Sequence, residues 1–131
     1  MIGIDTNILI RYFVKDDPVQ TPLAVRTIYS LSGAEPGWIS LLVLAELTWS
    51  LRRLFKLDRS AIATVVRKLL DSQDIILEQD QIVRQALGLY ASTKADLTDC
   101  ILSVSARLAG CRTVATLDEV AARDLGMHLI K

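Results

Sequence analysis

Five acids stand where the hydrophobic pattern of the chain changes. Asp5 closes the short apolar run of residues 1–4 and leads into Thr6-Asn7. Asp118 closes the run Val114-Ala115-Thr116-Leu117. Asp96 and Asp99 lie three apart in Ala95-Asp96-Leu97-Thr98-Asp99-Cys100-Ile101. Glu46 lies inside Leu41-Leu42-Val43-Leu44-Ala45-Glu46-Leu47-Thr48-Trp49, where its neighbours at helical spacing are Leu42, Val43, Trp49 and Ser50. An ionised carboxylate on an apolar face is costly unless something neutralises it. Glu46 is therefore expected on a buried helix, directed at a cation. Gathered carboxylates raise one another's pKa, and a hard divalent cation relieves that repulsion. All-oxygen ligation suits Mg²⁺ or Mn²⁺. The chemistry that follows is metal-assisted phosphodiester hydrolysis, in which the cation activates a bound water and neutralises charge in the transition state. It needs neither a histidine nor a thiol nucleophile, in keeping with a chain that has one histidine, His128, and two cysteines.

Each acid also has a structural explanation. Asp5 and Asp118 fit helix N-caps. Asp96 and Asp99 fit a capping box with an acid at both ends. Glu46 fits an ion pair with Arg53 or Arg11. The conjunction carries the weight: two strands deliver an acid at their carboxyl ends, a buried helix adds another, and a helix start adds one or two more. Thr6, Asn7, Thr98 and Thr116 stand beside these acids, where they can orient bound waters or a phosphate, or serve turns and caps. Arg11, Arg52, Arg53, Lys56, Lys68 and Lys94 can contact phosphates or simply form solvated faces. Trp38 and Trp49 can stack bases, although Trp49 fits the core better. Tyr12 and Phe13 can line an apolar groove for a partner helix. Cys100 and Cys111 lie in apolar surroundings and read as reduced, buried thiols.

The elements that must position these side chains follow from periodicity and capping signals. Strands are expected at residues 1–4, 38–39, 75–77, 113–115 and 127–130. Helices are expected at 7–14 and 19–31, and from 41 to about 55 behind a Ser40 cap. Further helices run from Asp58 to about 70, from Asp80 to 90, from Asp96 to about 108, and from Asp118 to 125 with Gly126 as the stop. Short apolar strands alternating with helices predict a parallel sheet covered on both faces. Ligands in such folds bind beyond the carboxyl ends of the strands, which is where Asp5 and Asp118 fall.

The 131 residues amount to one domain, expected to span residues 1–131. The chain is 51% hydrophobic and 23% charged, ordinary for a globular protein. No apolar run is long enough to cross a membrane. The N-terminal residues lack the basic region of an export signal, so a cytoplasmic location is expected. Fifteen basic and fifteen acidic residues give no net charge; acids committed to a metal would leave the remaining surface more basic than this total.

Four blocks, in order, resemble a known family. Asp5-Thr6-Asn7 followed by Ile-Leu-Ile-Arg-Tyr and Asp16-Asp17-Pro18 looks like the opening of PIN-domain toxins of the VapC type. The stretch Leu44-Ala45-Glu46-Leu47-Thr48-Trp49 with Leu51-Arg52-Arg53 resembles their second block. Asp96-Leu97-Thr98-Asp99-Cys100-Ile101 resembles their third. Thr116-Leu117-Asp118 with Gly126 and a final strand resembles their fourth. The resemblance implies a PIN-like three-layer α/β/α fold with a central parallel sheet of about five short strands. It implies RNA cleavage with Mg²⁺ or Mn²⁺, and it carries Asp5, Glu46, Asp99 and Asp118 onto the family's acidic quartet, with Asp96 as a neighbouring acid. It also implies a cognate antitoxin that covers the site, commonly a toxin homodimer, and higher complexes with the antitoxin. One departure is visible: many members carry an aromatic residue soon after the fourth acid, where this chain has Glu119-Val120-Ala121-Ala122. Two other classes compete. A phosphoryl-accepting receiver has similar length and acids near its first strand, but fits the stretch Leu77-Glu78 poorly. A non-catalytic binding module on the same scaffold would not need acids at all four quartet positions.

Overall fold

The structure is a computed structural model that describes residues 1–131. The chain forms two compact units, Met1–Asp80 and Gln81–Lys131.

The first unit contains β1 (Ile2–Gly3), α1 (Thr6–Val14), α2 (Gln20–Tyr29), β2 (Gly37–Ile39), α3 (Leu41–Arg53), α4 (Arg59–Asp71) and β3 (Ile75–Leu77). The strands pair in the order β1-β2-β3, and both pairings are parallel. Gly37 aligns with Ile2 on one side and Ile75 on the other. Its lack of a side chain matters here: a Cβ would lie 2.7 Å from Leu31 Cδ1 and 3.1 Å from Ile4 Cγ1. With β2 in the middle, this sheet excludes the receiver arrangement, in which β1 lies between β2 and β3.

Local chemistry sets the helix starts. Ser40 accepts a hydrogen bond from Val43 N (3.0 Å), and Asp58 accepts one from Ala61 N (2.8 Å); both are N-caps, as the sequence predicts. Asp17 Oδ1 accepts from Val19 N (2.9 Å) and Gln20 N (2.7 Å) and so organises the entry to α2. These two amides hold the Asp17 carboxyl below the usual carboxylate range, with the Arg11 charge adding to the effect. α1 ends at Lys15 in the left-handed conformation, φ 57°. Leu44, Leu47, Thr48 and Leu51 form the buried stripe of α3, and Ile62, Ala63, Val65, Val66 and Leu69 that of α4. Leu9 and Ile39 complete the enclosed positions.

The second unit contains most of α5 (Asp80–Ser92), then α6 (Leu97–Leu108), β4 (Ala115–Thr116), α7 (Glu119–Leu125) and β5 (His128–Leu129). β4 and β5 are parallel, with Ala115 beside His128 and Thr116 beside Leu129. Val83, Ala86, Cys100, Val104 and Ala121 are fully enclosed. Gly126, at φ 68°, ends α7 as expected, since this conformation suits glycine.

All seven helices and five strands of the sequence reading are present, and every strand pair is parallel. The mixed α/β class holds. The five strands are hydrogen-bonded as parallel ladders of three and two. Two expectations need correction. The fourth strand starts two residues later than expected and ends one later, at Ala115–Thr116, so Thr116 is within it. Cys111 is exposed rather than buried, since it lies past the end of α6, just after Gly110 at φ 90°; Cys100, within α6, is buried.

Candidate active site

The carboxyl ends of three parallel strands point the same way, and the residue types found there are polar. β1 runs out through Ile4 into Asp5, β2 into Ser40 and β3 into Glu78. Asp5 takes the N-cap position of α1, and its Oδ1 accepts from Thr6 N at 2.8 Å. The hydroxyl of the same threonine donates to Glu46 Oε1, at 3.4 Å. Thr6 therefore links two carboxylates that are 41 positions apart in sequence (46 − 5). Both side chains are exposed, and each keeps a second oxygen for another ligand.

Glu46 is the principal correction. It is not on a buried face. α3 turns the stripe Leu44, Leu47, Thr48 and Leu51 inward, and Glu46 falls outside it. Leu42 (70% exposed) and Trp49 (49% exposed) lie outside it too, so Trp49 is not a core residue. The apolar neighbours that made Glu46 look buried are themselves at the surface. No desolvation cost then has to be offset, and the carboxylate is available. Arg11, one of the arginines that could have neutralised it, instead bonds Asp16 (3.0 Å) and Gln20 (3.0 Å).

Glu78 was missed at the sequence level. Its Oε1 accepts from Leu41 N, at 2.9 Å, and so holds the first turn of the helix that carries Glu46. The signal was there: an acid directly after a short apolar strand, the same pattern as Asp5.

In the second unit, Asp118 caps α7 by accepting from Ala121 N at 2.8 Å. Thr116 Oγ1 accepts from Asp118 N, at 3.0 Å, and fixes the turn between strand and helix. Asp96 occupies the N-cap position of α6 without the side-chain cap bond expected of a capping box, and Asp99 lies in the first turn. Both are half-buried. Asn7 is exposed in the first turn of α1.

Residues 2–124 match the PIN domain family. The chain is a PIN-domain protein. The match runs through both compact units and covers every acid considered above. PIN domains are generally nucleases that use divalent metal ions. No curated protein matches the chain. Within this PIN domain, no group of three or more acidic, histidine or cysteine side chains forms a ready cation cage. The donor chemistry nevertheless fits Mg²⁺ or Mn²⁺. Mg²⁺ commonly takes one or two carboxylates and keeps several waters, and Asp5 and Glu46 offer such a pair of hard oxygen ligands.

Proposed function

We propose that this PIN-domain protein is a metal-dependent endoribonuclease of the VapC type, the toxin of a toxin–antitoxin pair. The observation that supports it most is the Asp5–Thr6–Glu46 link beyond the carboxyl edge of the β1-β2-β3 sheet. We take residues 1–131 as one functional PIN domain. Asp5, Glu46, Asp99 and Asp118 are the proposed ligands of Mg²⁺ or Mn²⁺, with Asp96 assisting. When bound, the divalent ion would lower the pKa of a water and screen the scissile phosphate. The chain's own residues do the rest. Thr6 holds the Asp5 and Glu46 carboxylates in mutual register. Glu78 fixes the start of α3. Thr116 sets the turn that presents Asp118. Asn7 donates from its exposed amide to a phosphate oxygen.

The partners proposed are an RNA substrate, a second copy of the chain, and a cognate antitoxin, with the protein at work in the cytoplasm. No helix is long and apolar enough to cross a membrane. For the antitoxin, Tyr12 and Phe13 line a mostly apolar cavity of about 90 Å³ that Lys68 and Ser72 also border. A cavity of that size takes one apolar side chain of an amphipathic partner helix.

The test is incubation of the antitoxin-free protein with a mixed RNA pool and Mg²⁺ or Mn²⁺. Cutting is expected, to be abolished by EDTA and by Asp5→Asn, and suppressed by the cognate antitoxin. A folded protein that cuts nothing under either metal overturns the nuclease assignment. Cutting that the antitoxin leaves untouched keeps the nuclease and removes the toxin class.

A further inference from the structure

α3 has two faces. Leu44, Leu47, Thr48 and Leu51 are enclosed, at 0–2% exposure. Leu42, Glu46, Trp49 and Arg53 recur at intervals of four, three and four, so they share the opposite face, and all four are exposed. Side chains three and four apart on a helix are neighbours, with Cβ atoms about 5–6 Å apart. Trp49 therefore stands one turn from Glu46 on one side and one turn from Arg53 on the other.

An exposed indole here is unexplained by folding, since the core stripe of α3 is complete without it. The charges around it narrow what could cover it. The centre of a protein–protein interface is enriched in Trp and Arg but depleted in acids, so the exposed Glu46 beside Trp49 is the feature that speaks against a protein partner. A nucleotide matches all three features. Its base offers a flat π-face to the indole, its phosphate carries the charge that Arg53 attracts, and its scissile group belongs beside the proposed metal ligand Glu46.

We infer that Trp49 is a stacking platform for an unpaired base of single-stranded RNA next to the cleaved phosphate. This rests on the nuclease assignment for its biological meaning, but binding can be measured without cleavage. Stacking is tolerant of base identity, because every base has a π-face. The platform thus selects unstacked, single-stranded RNA rather than a sequence.

The experiment compares two probes in EDTA: a fluorescent decamer of uridylates, and an abasic decamer with the same backbone. Wild type is expected to bind the first more tightly. Trp49→Ala should weaken the uridylate decamer roughly 10- to 100-fold and leave the abasic decamer unchanged. Trp49→Phe, which keeps an aromatic face, should retain most of the affinity and controls for misfolding. Equal losses on both probes, or no loss on either, would overturn the platform. So would a Trp49→Ala chain that changes from dimer to monomer in sedimentation while binding both probes as before, which assigns this face to a second copy. The two hypotheses fail separately. If wild type cuts RNA but Trp49→Ala does not alter the preference for bases, the platform falls and the nuclease stands. If wild type cuts no RNA but Trp49→Ala loses base-dependent binding, the nuclease falls and the platform stands.

Discussion

Asp118 is assigned two roles, a helix cap and a metal ligand, and one pair of substitutions separates them. The cap is an amide donating to Asp118 Oδ1 at 2.8 Å, at the start of a helix of only seven residues. Replacing a capping Asp with Ala costs about 1 kcal/mol, within a range of roughly 0.5–2. For a domain of this size that lowers Tm by about 3–5 °C. Asparagine caps as well as aspartate, so Asp118→Asn loses only the attraction between its charge and the helix N-terminus, about 0.3–1 kcal/mol. The metal role behaves oppositely, because a neutral amide is a poor substitute for a carboxylate. At a metal concentration 100 times Kd, binding stabilises the wild type by about 2.7 kcal/mol. That rise in Tm should largely vanish in Asp118→Asn and Asp118→Ala alike. Asp58 supplies the control, since its cap on α4 has the same 2.8 Å geometry but no metal role is assigned to it. Asp58→Ala should lose the cap energy and keep the metal response. Thermal unfolding with and without Mn²⁺, beside RNA cleavage, reads all of this. If Asp118→Asn keeps both the metal-induced shift and the cleavage, Asp118 is not a ligand. If it is as destabilised as Asp118→Ala without metal, hydrogen bonding is not what its cap contributes.

Two further outcomes concern the first unit. Gly37→Ala should destabilise by about 1–3 kcal/mol, the usual cost of overpacking, because its methyl must displace the buried ends of Leu31 and Ile4; an unchanged urea midpoint would show that these chains yield freely. The Asp17 carboxyl titrates below its usual range because the amides of Gln20 and Val19 hold its ionised form. A depressed folded pKa gives stability that is present above about pH 4, the unfolded value, and lost as pH falls through the folded value. Asp17→Ala should therefore unfold earlier than wild type at neutral pH, with the gap closing in acid; a gap that stays constant down to pH 2 would contradict the assigned cause.

Much of this fold was legible because its signals are local. Ser40, Asp58 and Gly126 announce their helix ends by residue type, and β3 is the apolar run Ile75-Ile76-Leu77. Strand pairing was less legible, since nothing in five short apolar runs says which ladders close. Thr6 brings Asp5 and Glu46 together, but the burial that the sequence predicts for Glu46 is not found. The stretch around it is apolar on every side, so composition could not say which face turns inward; Leu44, Leu47 and Leu51 define that face only once the packing is known. Glu78 carries the same local signal as Asp5, an acid directly after an apolar strand, but its partner Leu41 N lies 37 positions earlier, a tertiary contact that no local pattern encodes.

The two thiols differ in a way that gives the protein a built-in clock. Cys111 is open to solvent, while Cys100 is fully enclosed and sits beside Asp99 in α6. A thiol reagent reaches the first at once and the second only when the packing around α6 opens. The slow phase of alkylation therefore reports the opening of the helix that presents Asp96 and Asp99, as a rate where the reagent outpaces reclosing and as an equilibrium where it does not, with no substitution introduced.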